Sequence, residues 1–281
     1  MATVEAAVGQ ASRPSLVTRQ SALRMTEILL GGLLFLVLLQ SILGYSVLDS
    51  DLWKVYSRSF WNGILRTLGY TAFILPVSVA IGFCVGWARV SRYRALSWPV
   101  SVYVEFFRGV PPLVVVIFAS ILGPTLLPER FQSVELGLTL GALAIAFHSA
   151  AFQAEIFRAG FQSVSRGQLE AAQAIGMRPL QSMRHVILPQ ALRLSLPPLA
   201  NEFAVVIKDT SLLAAIAAGE LFHLSVRIQD TIIRGGGQLD WLFAIWTAVA
   251  TVYFVMTFSM TRVMLLLERK VHTRGLEALS V

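Results

Sequence analysis

Charge is scarce in this chain. Only 14% of its 281 residues are Asp, Glu, Lys or Arg, where a soluble domain carries about 25%. With 56% hydrophobic residues and a mean hydropathy of +0.68, that deficit excludes disorder, a fibrous repeat and an ordinary cytosolic enzyme. Cysteine is nearly absent. The single Cys84 lies inside an apolar run, so no internal disulfide can form and a buried, inert thiol is expected. There is no phosphate loop of the form G-x-x-x-x-G-K-S/T, and Gly235, Gly236 and Gly237 have no lysine after them and read as a flexible turn. No second His or Cys stands at ligand spacing from His148, so no metal is expected. Ser149 beside His148 does not make a nucleophile and base, because neighbours on a helix point apart, so no catalytic residue is expected. Internal repeats and low-complexity tracts are lacking too.

What is present is a set of long charge-free runs. A spanning helix needs about 20 apolar residues. Ile28 to Leu48, Thr67 to Ala88, Gly109 to Pro128, Leu136 to Ala154 and Trp241 to Thr261 qualify. The first is too long for a cleaved signal peptide and has no clean cleavage pattern, so it reads as an uncleaved span. A sixth run, Leu194 to Gly219, holds Glu202, Lys208 and Asp209, with Pro197 and Pro198 near its start. An open strand edge is not viable in lipid, so this run reads as a helix broken near Lys208. The expected fold is an all-α integral membrane protein with six transmembrane helices. Pro111 and Pro112 either start the third span cleanly or kink it. Trp53, Trp61, Trp98 and Trp241 fall near span ends and read as interfacial anchors in contact with membrane lipid.

The basic residues between the spans divide sixteen to six, with Lys208 inside a span. That asymmetry places both termini and the segment Arg158 to Arg193 in the cytoplasm. The net charge of +7 and pI of about 10.1 are thereby read as inner-loop charge, with no nucleic acid partner.

The segment from Arg158 to Arg193 has its own logic. Ser165 and Gln168 form a capping-box pattern, Gln168 to Ile175 favours helix, Gly176 suits a left-handed end, Pro179 suits the start of a second helix, and Pro189 interrupts or ends that helix. Two short helices therefore meet at a glycine corner. The knob they make is either a solvated surface loop or an element that inserts into a partner's groove, which its apolar residues suit.

This elbow resembles the EAA signature of ABC-transporter permease subunits. Glu170, Ala171, Ala172, Gly176, Val186, Leu188 and Pro189 hold its spacing, with Val186 where the pattern has Ile. Further stretches are similar to the polar amino acid uptake group of binding-protein-dependent type I importers: Tyr103 to Gly109, Ala154 to Gly160, Leu188 to Arg193, and Asn201 to Leu213. Two departures, Pro112 in a usual P-L-L and Phe152 where Tyr is common, bear on substrate rather than family.

The resemblance implies a five-helix core in residues 62–268, with the elbow at 158–193. To this are added an N-terminal helix and outer loop (25–61) and cytoplasmic tails (1–24 and 269–281). It implies a bacterial cytoplasmic (inner) membrane location and a dimer with a second copy or a sister permease. A separate ATPase, which holds the ATP and Mg, docks at Glu170 with Gly176 as the corner, and this chain itself binds no cofactor. A periplasmic or anchored binding protein delivers a polar amino acid. Switching would be a rigid-body change between two states.

Glu202, Lys208 and Asp209 are costly in lipid, by about 2.5–3.5 kcal/mol each if unpaired at mid-depth. Either they line a path for a zwitterionic substrate, with Asn201, Thr210, Ser211 and His148 as companions, or they pair within the bundle and support a gate. His148 reads otherwise as a small polar packing position. Glu155 with Arg158, and Glu105 with Arg108, read as i,i+3 ion pairs. Two other function classes stay open against the importer: an intramembrane enzyme, and a secondary ion-coupled transporter, which would show paired broken helices.

Overall fold

The computed structural model describes residues 16–271, which are helical throughout apart from short connections. The expected tails lie partly outside this range, over 1–15 and 272–281. In order come α1 (Leu16–Leu43), α2 (Ser50–Arg89), α3 (Arg94–Gly109), α4 (Pro112–Thr125), α5 (Val134–Ser163), α6 (Arg166–Ala174) and α7 (Pro179–Ser182). A π-turn at Met183–Ile187 leads into α8 (Leu188–Asp209), which continues as a 3-10 helix over Thr210–Ile216. α9 (Leu221–Arg234) and α10 (Asp240–Val271) are the last described elements.

Among the described residues three helices are long and apolar enough to cross a membrane: α2, α5 and the stretch Asp240–Glu268 of α10. α3 and α4 together make a fourth, broken pass with a bend of 105°. The fold is thus all-α and membrane-embedded. Several expectations meet the structure with changed bounds. α1 ends at Leu43, where Gly44 takes φ +71°. The stretch 50–61, expected to be outer loop, is the first part of α2. Asp49 starts it by accepting from the amides of Asp51 and Leu52, both at 2.9 Å. The Leu52 amide in particular holds the Asp49 carboxyl below the usual carboxylate range. At 40 residues this helix is about 60 Å long, roughly twice a bilayer's hydrocarbon core.

The third run yields only the 14-residue α4, about 21 Å long, which is short of a full crossing. Pro111 and Pro112 do both things expected of them: Pro112 opens α4, and the chain turns sharply just before it. Apolar-run counting does not mark α3, which is amphipathic with its charges on one face, nor α9, for the same reason. Pro189 does not end the elbow's second helix. The missing N–H of a proline breaks the regular hydrogen-bond ladder, and the π-turn just before it lets the Leu188 amide reach the Met183 carbonyl, so the helix runs on.

α5 is the central helix. Its buried face is dominated by Ala and Gly, including Ala142, Ala146, Ala150 and Ala154, and small residues let backbones approach where lipid supplies no hydrophobic drive. On α2, Gly82 and Gly86 face it. A Cβ at Gly82 would stand 2.8 Å from the Gln153 Cβ, and one at Gly86 would stand 2.7 Å from the Ala154 carbonyl oxygen. One apolar cluster, with Ile74, Val116, Ile145, Val206 and Leu213, gathers α2, α4, α5 and α8. A second joins Leu52 and Phe60 to Leu221, Ile228 and Ile245.

Candidate functional site

Two features carry chemistry: the elbow and a buried polar seam. In the elbow, α6 closes with Gly176 donating to the Gln173 carbonyl (2.9 Å) and Met177 to the Ala172 carbonyl (3.0 Å). Gly176 takes φ +84°, a conformation that costs other residues but not glycine. Gln181 accepts from the Arg178 amide at 2.9 Å and so caps α7. The capping box expected from Ser165 is not made; Ser165 stands at the N-cap of α6 with no side-chain bond. Ala172 is buried at 4% exposure, while Ile175 and Leu180 are 75% and 73% exposed. The corner therefore holds small residues, Ala172 and Ser182, inward and turns two large apolar ones away from the bundle. Glu170 and Ala171 are exposed on the same helix; Val186, Leu188 and Pro189 are half-buried along the π-turn and the start of α8.

The seam crosses the bundle. Ser149 on α5 donates to Glu202 on α8 at 3.0 Å. Gln153 donates to Ser149 and to Ser78 on α2, both at 2.9 Å. Its Oε1 is buried and has no partner among the described residues. His148 is buried and packs against Phe152 with ring centroids 5.3 Å apart. Asn201 and Lys208 lie on the exposed face of α8, and Glu202 and Asp209 are half-buried. Thr210 and Ser211 turn their hydroxyls onto the carbonyls of Ile207 (2.6 Å) and Lys208 (2.7 Å), in the 3-10 segment. Of the polar residues expected along a path, Glu202 is brought to the α5–α8 contact through Ser149; His148 packs on Phe152 of its own helix, Asn201 lies on the exposed face of α8, and Lys208, Asp209, Thr210 and Ser211 stand where α8 passes into its 3-10 extension.

At the other end of α2, Arg89 reaches both Glu155 on α5 and Glu105 on α3 (3.5 Å for the latter), and Arg158 also binds Glu155. The Glu155–Arg158 pair is present as expected. Glu105 pairs with Arg89 instead of Arg108, because Arg108 lies over the Phe152 ring, 5.8 Å from its centroid. Cys84 is exposed, not buried. Sequence reading missed Gln153 and Ser78, which look like isolated polar residues in apolar runs until the helices meet. It also missed Glu220, fully buried, which caps α9 by accepting from Phe222 and His223 at 2.7 Å each and from the Tyr253 hydroxyl at 3.2 Å. Glutamate is an uncommon cap, so no local pattern marked it.

Among the described residues no group of His, Cys, Asp and Glu could hold a metal ion. Ser149 donates to the Glu202 carboxylate and accepts from Gln153, with no hydrogen bond to its neighbour His148 among the described residues. The arrangement suits packing, docking and passage of a polar solute.

Residues 78–273 match the family model described as binding-protein-dependent transport system inner membrane component. The chain is 34% identical over 224 residues to the L-cystine transport system permease protein TcyB of Bacillus subtilis, covering 78% of this chain and 90% of that one. It is 32% identical to the probable glutamine ABC transporter permease protein GlnM of the same organism, covering 72% and 88%. A crystal structure of an amino acid ABC transporter with histidines matches with a TM-score of 0.65 at 32% identity, covering 76% of this chain and 95% of that one. The elbow, the helical membrane core and these likenesses agree: the chain belongs to the binding-protein-dependent transport system inner membrane components, as a transport permease of the amino acid ABC-transporter group and not a catalytic enzyme.

Proposed function

We propose that this permease carries a polar amino acid inward through six passes: α1, α2, the α3–α4 pair, α5, α8 with its 3-10 extension, and α10. It works with a separate ATPase that holds ATP and Mg, a substrate-binding protein, and a second permease, its twin or a sister. Residues 62–268 form the five-helix core, 25–61 the added helix and outer loop, and both tails face the cytoplasm, as the sixteen-to-six division of basic residues indicates.

The observation that carries this reading is the elbow. Its two exposed apolar tips, Ile175 and Leu180, flank a glycine corner beside Glu170, a shape suited to a groove on a partner. Glu170, Ala171 and Ala172 form the docking helix, Gly176 the corner, and Val186, Leu188 and Pro189 the rigid link into α8. Because α7, the π-turn and α8 are continuous, a pull on the elbow moves α8 directly, and with it Asn201, Glu202, Lys208, Asp209, Thr210 and Ser211. Lys208 and Asp209 offer opposite charges for the carboxylate and ammonium groups that every amino acid shares. The relatives' names include cystine and glutamine, whose side chains differ; the common backbone charges are what a shared path can recognise.

The test is uptake of radiolabelled amino acids into proteoliposomes holding the permease, its ATPase and its binding protein. Uptake should need ATP and all three components. Accumulation by the permease alone, driven by an ion gradient, would establish the secondary transporter instead.

A further inference from the structure

We infer that the cleft between the elbow and the end of α2 binds an anionic phospholipid, with an acyl chain in its apolar trough and the phosphate at Arg92. The inference rests on the proposed orientation, which puts this cleft at the inner face of the membrane.

The cleft has a volume of about 640 Å³ and three walls. Cys84, Trp87 and Ala88 come from the last turns of α2, Arg92 and Leu96 from the α2–α3 turn and the start of α3, and the third wall is the elbow itself, with Leu169 and Gln173 of α6, Pro179 of α7, and Met183 and Ile187 of the π-turn. Its floor belongs to the end of the charge-free run of α2, so in the proposed orientation the trough adjoins the inner leaflet and is open to an acyl chain. Its rim is cationic. Arg89 and Arg158 are held by carboxylates, but Arg92 and Arg94 are exposed and make no ion pair among the described residues. Tyr93 and Trp98 stand beside them, 78% and 70% exposed, as aromatic residues do at the headgroup level. An apolar trough ending in unpaired arginines is complementary to a lipid phosphate on an acyl tail. A soluble anion would have no use for the trough. A lipid seated there touches both α2 and the π-turn, so it braces the root of the elbow and makes transport sensitive to anionic lipid.

Cys84 is the chain's only cysteine and lines the cleft, which makes it the probe. The full chain is placed in nanodiscs of phosphatidylcholine, with or without phosphatidylglycerol, and maleimide labelling of Cys84 is timed. Phosphatidylglycerol should slow labelling about fivefold, the effect of one arginine near an anionic surface. Arg92→Gln should abolish that protection, and Ile187→Trp, which fills the trough, should slow labelling in either lipid. Equal rates for the unaltered chain in both lipids, or full protection retained by Arg92→Gln, would overturn the inference. So would equal protection by the purified ATPase in phosphatidylcholine alone, which would assign the cleft to that partner. ATP-driven uptake by the reconstituted transporter, run in parallel, separates the two ideas: uptake without any lipid effect on Cys84 removes only the lipid site, and absence of uptake in every lipid removes the importer reading.

Discussion

The elbow and the α2–α5 seam are built on opposite rules. In the seam, Gly82 and Gly86 let α2 lie against α5 with no room for a methyl group, and the interior polar atoms of Ser78, Ser149 and Gln153 bond one another. In the elbow, the large apolar side chains of Ile175 and Leu180 are exposed while the small Ala172 and Ser182 are buried. A core spends its apolar area on itself; an elbow holds it out for another chain. Substitutions should therefore separate cleanly: those in the seam remove the folded protein, and those at the elbow tip leave a folded protein that transports nothing.

The largest effect is expected at the elbow. Glu170→Lys places a cation where the docking helix carries an anion and should cost about 2–5 kcal/mol of association with the ATPase, as reversing or orphaning an interfacial charge does. Uptake should fall to background while the purified permease melts normally and loses its ATPase in pull-down. Normal uptake would put the docking surface elsewhere. The matching seam variant is Gly86→Leu. Its side chain would collide with the Ala154 carbonyl and the Phe157 Cβ, 2.7 and 2.8 Å from a Cβ at that position. Overpacking of this kind costs about 3 kcal/mol, read as a lowered melting temperature and poor recovery from the membrane. If Gly86→Leu melts normally and only transport fails, the two regions do not differ as stated.

A smaller effect is expected where the two regions adjoin. Glu155→Gln leaves Arg89, only 13% exposed, without its main carboxylate. Glu105 approaches the same arginine at 3.5 Å and softens the loss. A charge-assisted hydrogen bond is worth about 1.5–3 kcal/mol, so the melting temperature should drop by less than in Gly86→Leu, and transport should persist at reduced rate. Arg158→Gln removes only the second partner of Glu155 and should be milder. A larger loss from Arg158→Gln than from Glu155→Gln would mean that the inter-helix pair carries little.

The sequence makes local features legible and hides those created by contact. Long charge-free runs mark α2, α5 and α10, and the break in α8 near Lys208 follows from a charge pair and an approaching apolar end. Gly176 and Pro179 announce the corner because glycine and proline act through their own backbone. α3 and α9 stay hidden because an amphipathic helix alternates charge with apolar residues and never makes a long run. The seam stays hidden because Gln153 acquires meaning only when α2 and α8 bring Ser78 and Glu202 to its neighbourhood. Arg108 shows the same limit: i,i+3 spacing offers it Glu105, but tertiary packing offers it an aromatic ring.

The smallest expected effect tests that limit within the elbow itself. Ser165 is the cap that the sequence pattern offers there and Gln181 the cap that the geometry makes, and both lie on exposed surface, so burial does not distinguish them. Ser165 has the favoured residue type and the favoured partner three positions on, yet its hydroxyl makes no bond at the start of α6. Gln181 has no such pedigree, yet its side chain accepts the Arg178 amide at 2.9 Å and satisfies a donor that α7 leaves open. Ser165→Ala should therefore cost less than about 0.5 kcal/mol, the level of an ordinary surface change. Gln181→Ala should cost about 0.5–1.5 kcal/mol, the net worth of a hydrogen bond. Hydrogen exchange resolves the two: amides 178–183 should exchange roughly two- to tenfold faster in Gln181→Ala, with the amides of α6 unchanged in Ser165→Ala. Faster exchange in α6 and none at 178–183 would mean that the free elbow obeys its sequence pattern and not the geometry found here.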